Sequence, residues 1–326
     1  MELCQGRTIH RVCLGRYVPG GILAIMKHIT RAAELSVPLV QQLMQRALEL
    51  ETQPTHVARG KQLASLFYEP STRTRFSFES AMHKLGGNVI TTDNAGAFSS
   101  AAKGETIEDT IRVVSSYVDA IVLRHTQCGA AARAAAVASV PVINAGDGDG
   151  EHPTQALLDL YTIQRERGSV EGTRVAFVGD LKYGRTVHSL VQLLVSIPGV
   201  SIELISPPAL ALPDEYCTLL DTHNVPYEQH EDWGSVLPRV DVLYVTRVQT
   251  ERLTTPAEAG RCKGAYQLTM QELEHLSNTA VIMHPLPRVQ EIVPEVDTDP
   301  RAAYFRQVRY GLFMRMALLE YVLDAN

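Results

Sequence analysis

Hydroxyl and guanidinium side chains alternate at residues 71–75, which read Ser-Thr-Arg-Thr-Arg. A mostly apolar run at 62–68 comes before them and predicts a strand, and apolar residues recur at helical spacing from Phe78 to Leu85. The cluster therefore lies where a strand ends and a helix begins. At such a junction, unpaired backbone N–H groups and the positive end of the helix dipole favour a bound anion.

The side chains of this cluster strengthen the prediction of an anion site. Ser71, Thr72 and Thr74 offer hydroxyl donors, and Arg73 and Arg75 carry full positive charges. The sequence has no Gly-x-x-x-x-Gly-Lys run, so the usual nucleotide loop is excluded. A helix N-cap beside two solvated arginines is the alternative interpretation. We favour a phosphate-sized anion because capping needs fewer polar groups.

Composition limits the classes of protein that the chain can belong to. Its 326 residues, 45% hydrophobic and 20% charged, are typical of a globular protein of about two domains. A net charge of −6 gives no overall basic field for nucleic acid or an anionic membrane, so we expect neither partner. No apolar stretch reaches the ~20 residues of a membrane helix. The scattered cysteines indicate free thiols and no metal site: Cys4, Cys13, Cys128, Cys217 and Cys262.

Short apolar runs alternate with helical patterns along the whole chain. This alternation predicts an α/β protein of two similar-sized domains, each a parallel sheet flanked by helices. Ligands bind at the carboxyl ends of strands in such sheets. Ser71, Arg124 and the Gly146 loop each follow a predicted strand, so we expect them to converge on one crevice.

Cationic side chains recur at or just after the predicted strand ends. They are Arg73, Lys103, Arg124, Arg185 and Arg247. Each one alone is more typical of a solvated surface charge. Gathered in one crevice of an acidic protein, they indicate a site for small, highly charged anions.

Residues 67–79 read FYEPSTRTRFSFE, and residues 152–155 read His-Pro-Thr-Gln. They resemble the carbamoyl-phosphate signature and the His-Pro-x-Gln motif of one family, the aspartate/ornithine carbamoyltransferases. Residues 180–189 and 246–249 resemble its aspartate-binding segments. The similarity runs from about Lys27 to about Leu323.

The resemblance implies the organisation of the chain. Residues 1–26 would be a variable extension and 27–151 a carbamoyl-phosphate-binding domain. Residues 152–302 would bind aspartate, and 303–326 would form a C-terminal helix that returns to the first domain. The extension is acid-poor and contains arginine, as transit peptides do, but it has no serine. We therefore expect a cytoplasmic protein, with organelle import as the alternative.

The resemblance also implies which residues act on carbamoyl phosphate. Arg73, Thr74, Lys103, Arg124 and His152 would be catalytic, with Arg73 on the leaving phosphate and His152 on the carbonyl oxygen. The full binding set would be Ser71, Thr72, Arg73, Thr74, Ser99, Lys103, Arg124, His152, Gln155, and the backbone carbonyls of Leu286 and Pro287.

The resemblance in the second half of the chain also implies the acceptor substrate. Arg185 and Arg247 would each bind a carboxylate of L-aspartate, assisted by Lys103 and Gln249. An ornithine enzyme would instead carry an acidic residue and the sequence His-Cys-Leu-Pro, where this chain has His-Pro-Leu-Pro at 284–287. The implied products are N-carbamoyl-L-aspartate and phosphate. The reaction that forms them would be an early step of pyrimidine biosynthesis.

The resemblance implies a homotrimer with shared active sites, because Ser99 and Lys103 match residues that reach a neighbouring subunit. It implies no metal and no cofactor. Association with regulatory chains or a dihydroorotase stays open. The alternatives are a transferase for another amino acid such as ornithine, a non-catalytic scaffold homologue, and a Rossmann dehydrogenase. The sequence argues against a Rossmann dehydrogenase because it contains no Gly-x-Gly-x-x-Gly turn.

Overall fold

A computed structural model describes residues 27–53, 55–95, 103–249 and 266–324. The strands are β1 Gln62–Phe67, β2 Asn88–Asp93, β3 Ala120–His125, β4 Val142–Asp147, β5 Arg174–Val178, β6 Ser201–Ile205, β7 Tyr227–His230, β8 Val242–Val245 and β9 Val281–Met283. The helices are α1 Val37–Leu50, α2 Thr72–Lys84, α3 Ile107–Val114, α4 Ala130–Val137, α5 Pro153–Arg167, α6 Arg185–Leu194, α7 Asp214–Thr222, α8 Met270–His275 and α9 Tyr304–Leu323.

The strands form two parallel sheets. The first has the order β2-β1-β3-β4 and the second the order β7-β6-β5-β8-β9. Strand β3 is buried along its whole length, as expected for a central strand covered on both faces. The predicted fold class, with helices flanking two parallel sheets, is confirmed.

The registers of the two sheets bring the strand ends together. Phe67 at the end of β1 pairs with Arg124 on β3, and the Tyr68 N–H donates to the Arg124 carbonyl over 2.8 Å. In the second sheet, Val178 pairs with Val245, so the segments that follow β5 and β8 leave the same edge. The residues that were expected at strand ends therefore lie at the same edge of their sheet, where the carboxyl ends of the strands meet.

The last helix returns to the first domain. Helix α9 packs against α1, α2 and α5, with Leu318, Leu319 and Val322 fully buried. Arg46 of α1 pairs with Glu320 over 3.0 Å. This return was expected from the family resemblance, and the packing confirms it.

Strand β7 is not predicted by the sequence pattern. Its four residues read Tyr-Glu-Gln-His, without an apolar alternation, and they form the outer edge of the second sheet. An edge strand is paired on one side only and stays partly exposed, which permits polar side chains.

Within the described residues, none of the helices combines the length and apolar character that a membrane crossing requires.

Gly179 fixes the turn after β5. Its φ of +111° is strained for any side chain, and an added Cβ would lie 2.5 Å from the Thr246 carbonyl oxygen. We predict that Gly179→Ala lowers the free energy of unfolding by roughly 3 kcal/mol or more.

Gly172→Ala is the matched control for this prediction. Gly172 also has a positive φ, of +72°, but an added Cβ would meet no atom within 4 Å. Its substitution should cost only about 1 kcal/mol. Urea unfolding of both variants measures the difference, and equal losses would contradict the steric argument.

Candidate active site

A cleft of about 500 Å³ lies between the two sheets. Its lining includes twelve of the residues singled out in the sequence: Ser71, Thr72, Arg73, Thr74, Arg124, His152, Gln155, Arg185, Arg247, Gln249, Leu286 and Pro287. These residues come from both halves of the chain. The structure therefore brings the predicted anion loop and the predicted aspartate-binding segments to one place.

Lys103, which was expected to act on both substrates, does not line this cleft. Lys103 is exposed. It precedes α3, which begins at Ile107 with the Thr106 hydroxyl as its N-cap. Ser99 lies outside the described residues.

The anion loop differs from an ordinary helix cap. The Ser71 hydroxyl makes no capping hydrogen bond at the start of α2. Arg73 lines the cleft, whereas Arg75 pairs with Asp93 over 2.7 Å and does not line it. One of the two arginines is therefore structural, which corrects the expectation that both charges serve the anion site.

Glu69 joins the two halves of the cleft, and sequence reasoning did not single it out. Its Oε1 accepts from Arg124 over 2.7 Å and from Arg185 over 3.4 Å. Burial acts to raise the pKa of Glu69, but Arg185 and Arg124 outweigh it and lower that pKa. The only sequence signal was an acid within the arginine-rich signature.

His152 is buried at the start of α5. Its backbone N–H donates to the Ser189 hydroxyl over 3.0 Å. Burial, followed by the charges of Arg124, Arg185 and Arg315, holds the pKa of His152 well below its ordinary value, so the imidazole is neutral at pH 7. A neutral imidazole that donates to a carbonyl oxygen can stabilise negative charge developing there.

The loop 284–287 is held from behind by a buried pair. The Leu286 N–H donates to His284 Nδ1 over 2.8 Å, which leaves the proton on Nε2 to be donated to Glu291 over 2.8 Å. Leu286 has a φ of +53° and is followed by a cis bond to Pro287. A leucine in the left-handed region is strained, so these hydrogen bonds fix the conformation that the loop presents to the cleft.

The second-domain side of the cleft is organised by Asp180. This buried carboxylate accepts from the Gln249 N–H over 3.2 Å and from the Tyr183 N–H over 2.9 Å. The Gln249 side chain donates to the Tyr183 carbonyl over 3.2 Å. Asp180 thus connects the segments 180–189 and 246–249, which were both expected to bind L-aspartate.

We predict that the free energy of unfolding of Glu291→Gln depends less on pH below pH 7 than that of the wild type. Burial acts to raise the pKa of Glu291, but hydrogen bonds from His284 and from the Val289 N–H outweigh it and hold the pKa at about 2. The pKa of a glutamate in the unfolded chain is about 4.3. Because the pKa in the folded protein is lower, the ionised carboxylate stabilises the fold at pH values above about 4.3, and this stabilisation is lost as the pH falls towards 2. The substitution should therefore cost about 3 kcal/mol at pH 7 and progressively less below pH 4.3.

Urea unfolding of wild type and variant between pH 7 and pH 3 measures this difference. Exposed Glu274→Gln is the matched control and should change stability by less than about 0.5 kcal/mol at every pH. A Glu291→Gln penalty that does not shrink with acid would contradict the assignment.

The two parallel sheets and their shared cationic cleft define a two-domain α/β protein, and comparison with known proteins identifies the family. The model of the aspartate/ornithine carbamoyltransferase carbamoyl-P binding domain matches residues 27–165. The Asp/Orn binding domain model matches residues 171–322. The chain belongs to the aspartate/ornithine carbamoyltransferase family.

Individual relatives agree with this family. The chain is 52% identical over 277 residues to a chloroplastic aspartate carbamoyltransferase of Arabidopsis thaliana, covering 85% of this chain and 71% of the relative. It resembles the catalytic subunit of M. jannaschii aspartate transcarbamoylase with a TM-score of 0.86 and 46% identity, covering 92% of this chain and 99% of that one. It also resembles the Trypanosoma cruzi enzyme in complex with carbamoyl phosphate and aspartate, with a TM-score of 0.85, 41% identity, and coverage of 90% and 96%.

Proposed function

We propose that the protein transfers the carbamoyl group of carbamoyl phosphate to the α-amine of L-aspartate. The observation that carries this proposal is the composition of the cleft. A phosphate-type loop of the first domain and the guanidinium groups of Arg185 and Arg247 in the second domain line the same cavity. Such a cavity suits one phosphorylated substrate and one dicarboxylic substrate at adjacent positions.

The first domain would bind carbamoyl phosphate. Arg73 with the residue 71–74 hydroxyls would hold the phosphate, while Arg124, Thr74 and His152 would polarise the carbonyl group. Arg124 lines the cleft, and its Nε has no hydrogen-bond partner in the described part of the chain, which supports a role in binding a ligand there. Gln155 and the backbone carbonyls of Leu286 and Pro287 would accept from the carbamoyl NH2.

The second domain would bind L-aspartate through Arg185, Arg247 and Gln249. The uncharged α-amine attacks the carbamoyl carbon and forms a C–N bond. The bond from that carbon to the phosphate oxygen breaks, and phosphate leaves with the amine proton. The products are N-carbamoyl-L-aspartate and phosphate, which belong to an early step of pyrimidine biosynthesis. Positioning and electrostatic stabilisation by fixed donors would supply the catalysis.

We further propose that the active protein is a homotrimer with shared sites. Lys103 is exposed and does not line the cleft of its own chain. We therefore propose that Lys103, together with Ser99, acts in the cleft of a neighbouring subunit.

We also propose the domain limits 27–151, 152–302 and 303–326 given above. The proposed location is cytoplasmic, with organelle import as the alternative because a plant relative is chloroplastic.

The direct test is the formation of carbamoyl-aspartate from carbamoyl phosphate and L-aspartate, with L-ornithine assayed in parallel. We predict activity with aspartate alone. Arg73→Ala should lower kcat by about 10²–10³-fold with a smaller change in KM, because the charge that Arg73 meets grows in the transition state. Activity with ornithine, or near-normal turnover of the variant, would contradict the proposal.

Mixing two inactive variants tests the shared site. Lys103→Ala and Arg73→Ala trimers should each be nearly inactive. Random hybrids of the two should regain about a quarter of the wild-type sites, because some clefts then combine an intact Arg73 with a neighbour's intact Lys103. Dissociation at mild urea, remixing and assay measure this recovery. Each variant remixed with itself is the control, and the absence of any recovery would contradict a shared site.

A further inference from the structure

Asp159 is a fully buried carboxylate on α5 that does not line the cleft. Its Oδ1 accepts from Gln155 Nε2 over 2.9 Å and from Gln307 Nε2 over 2.6 Å. Its Oδ2 accepts from the Tyr244 hydroxyl over 2.7 Å. One side chain thus collects donors from α5, α9 and β8.

The carboxylate determines how the Gln155 amide is oriented. An ionised carboxylate can only accept hydrogen bonds, so the Gln155 NH2 group must face Asp159. The Gln155 oxygen is then the amide atom that remains for a ligand. Among the described residues, no group donates to that oxygen, and Gln155 lines the cleft.

Gln307 carries the same constraint to the loop 284–287. Its NH2 group faces Asp159, and its Oε1 accepts from the His284 backbone N–H over 3.1 Å. His284 in turn accepts from the Leu286 N–H. Asp159 therefore supports both Gln155 and the loop that carries the Leu286 carbonyl.

We propose that Asp159 is a positioning residue that makes the cleft select a carbamoyl group over an acyl group of the same shape. This inference rests on the proposed function. A carbamoyl NH2 has two N–H donors, and Asp159 fixes two acceptors for them, the Gln155 oxygen and the Leu286 carbonyl. A methyl group in that place leaves both acceptors unpaired, which weakens binding of the analogue.

The charge state of Asp159 sets the conditions of the test. Burial raises the pKa of Asp159 to about 7, against the hydrogen bonds from Tyr244, Gln307 and Gln155 and the charge of Arg315. Assays at about pH 8.5 therefore examine the ionised carboxylate.

The quantity to be measured is the inhibition constant of acetyl phosphate divided by the KM of carbamoyl phosphate, here called the selectivity ratio.

Two substitutions at Asp159 separate the acceptor from the charge. Asp159→Ala removes both, and it should lower the selectivity ratio about tenfold because Gln155 is released. Asp159→Asn removes the charge but keeps an oxygen that can accept from both amides, so the ratio should stay within about threefold of wild type. Tyr244→Phe removes a donor that does not touch Gln155, and should leave the ratio within about twofold.

A double-mutant cycle tests whether Asp159 acts through Gln155. In a Gln155→Ala background, Asp159→Ala should lower the selectivity ratio by no more than about threefold further, which is the part that reaches the Leu286 carbonyl through Gln307. Circular dichroism and thermal unfolding confirm that each variant is folded. If Asp159→Ala does not fold, the pair Asp159→Ala/Tyr244→Phe replaces it, since this pair removes the Tyr244 donor together with its acceptor.

The outcomes are distinct. An unchanged ratio in Asp159→Ala, an equal loss in Asp159→Asn, or additive losses in the cycle would overturn the positioning role while the proposed function stands. A wild-type protein that does not turn over carbamoyl phosphate would overturn the proposed function and this inference with it. A tenfold loss in Asp159→Ala that Asp159→Asn restores supports the inference.

Discussion

The contact between Glu69 and two arginines holds the cleft together. Arg124 belongs to the first sheet and Arg185 begins a helix of the second domain, and a single carboxylate oxygen accepts from both. Without that shared negative charge, two guanidinium groups at the same edge would repel each other in a partly desolvated site. The interaction lets a protein of net charge −6 maintain a locally cationic cleft, and it links the two domains across that cleft.

Two buried carboxylates behind the cleft, Glu291 and Asp159, position groups that line it. Glu291 is kept ionised by a histidine and by backbone N–H groups, whereas burial raises the pKa of Asp159. Both side chains act on groups that reach the cleft, one through His284 and Leu286 and the other through Gln155. Fixed dipoles of this kind stabilise a transition state without reorganising during the reaction.

Part of this arrangement could be predicted from the sequence. Strands such as β3 and β5 are short apolar runs, and polar residues directly after them had to meet at one edge of each sheet. The anion loop was predictable because its chemistry lies within five consecutive residues. Local order therefore accounts for residues that directly follow strands, such as Ser71 and Arg124, whereas Gln155, Leu286 and Pro287 were implied only by the family resemblance.

The parts that could not be predicted depend on contacts between distant residues. The partner of Arg75 is Asp93 at the end of the neighbouring strand, and nothing in the local pattern of either residue indicates the pair. Gln307 meets Asp159 from a helix 148 positions away along the chain. Strand β7 has no apolar pattern because it lies at an edge. Tertiary packing decided each of these cases, so a reading of local periodicity could not find them.

The return of α9 to the first domain has a consequence for how the protein is made. Helices α1 and α2 bury apolar surface against a helix that begins roughly 220 residues after α2 ends. During synthesis, α1 and α2 leave the ribosome long before α9, the helix that they pack against, exists. The first domain therefore completes its core only after α9 has been synthesised, and until then its exposed apolar face is a target for chaperones and for aggregation.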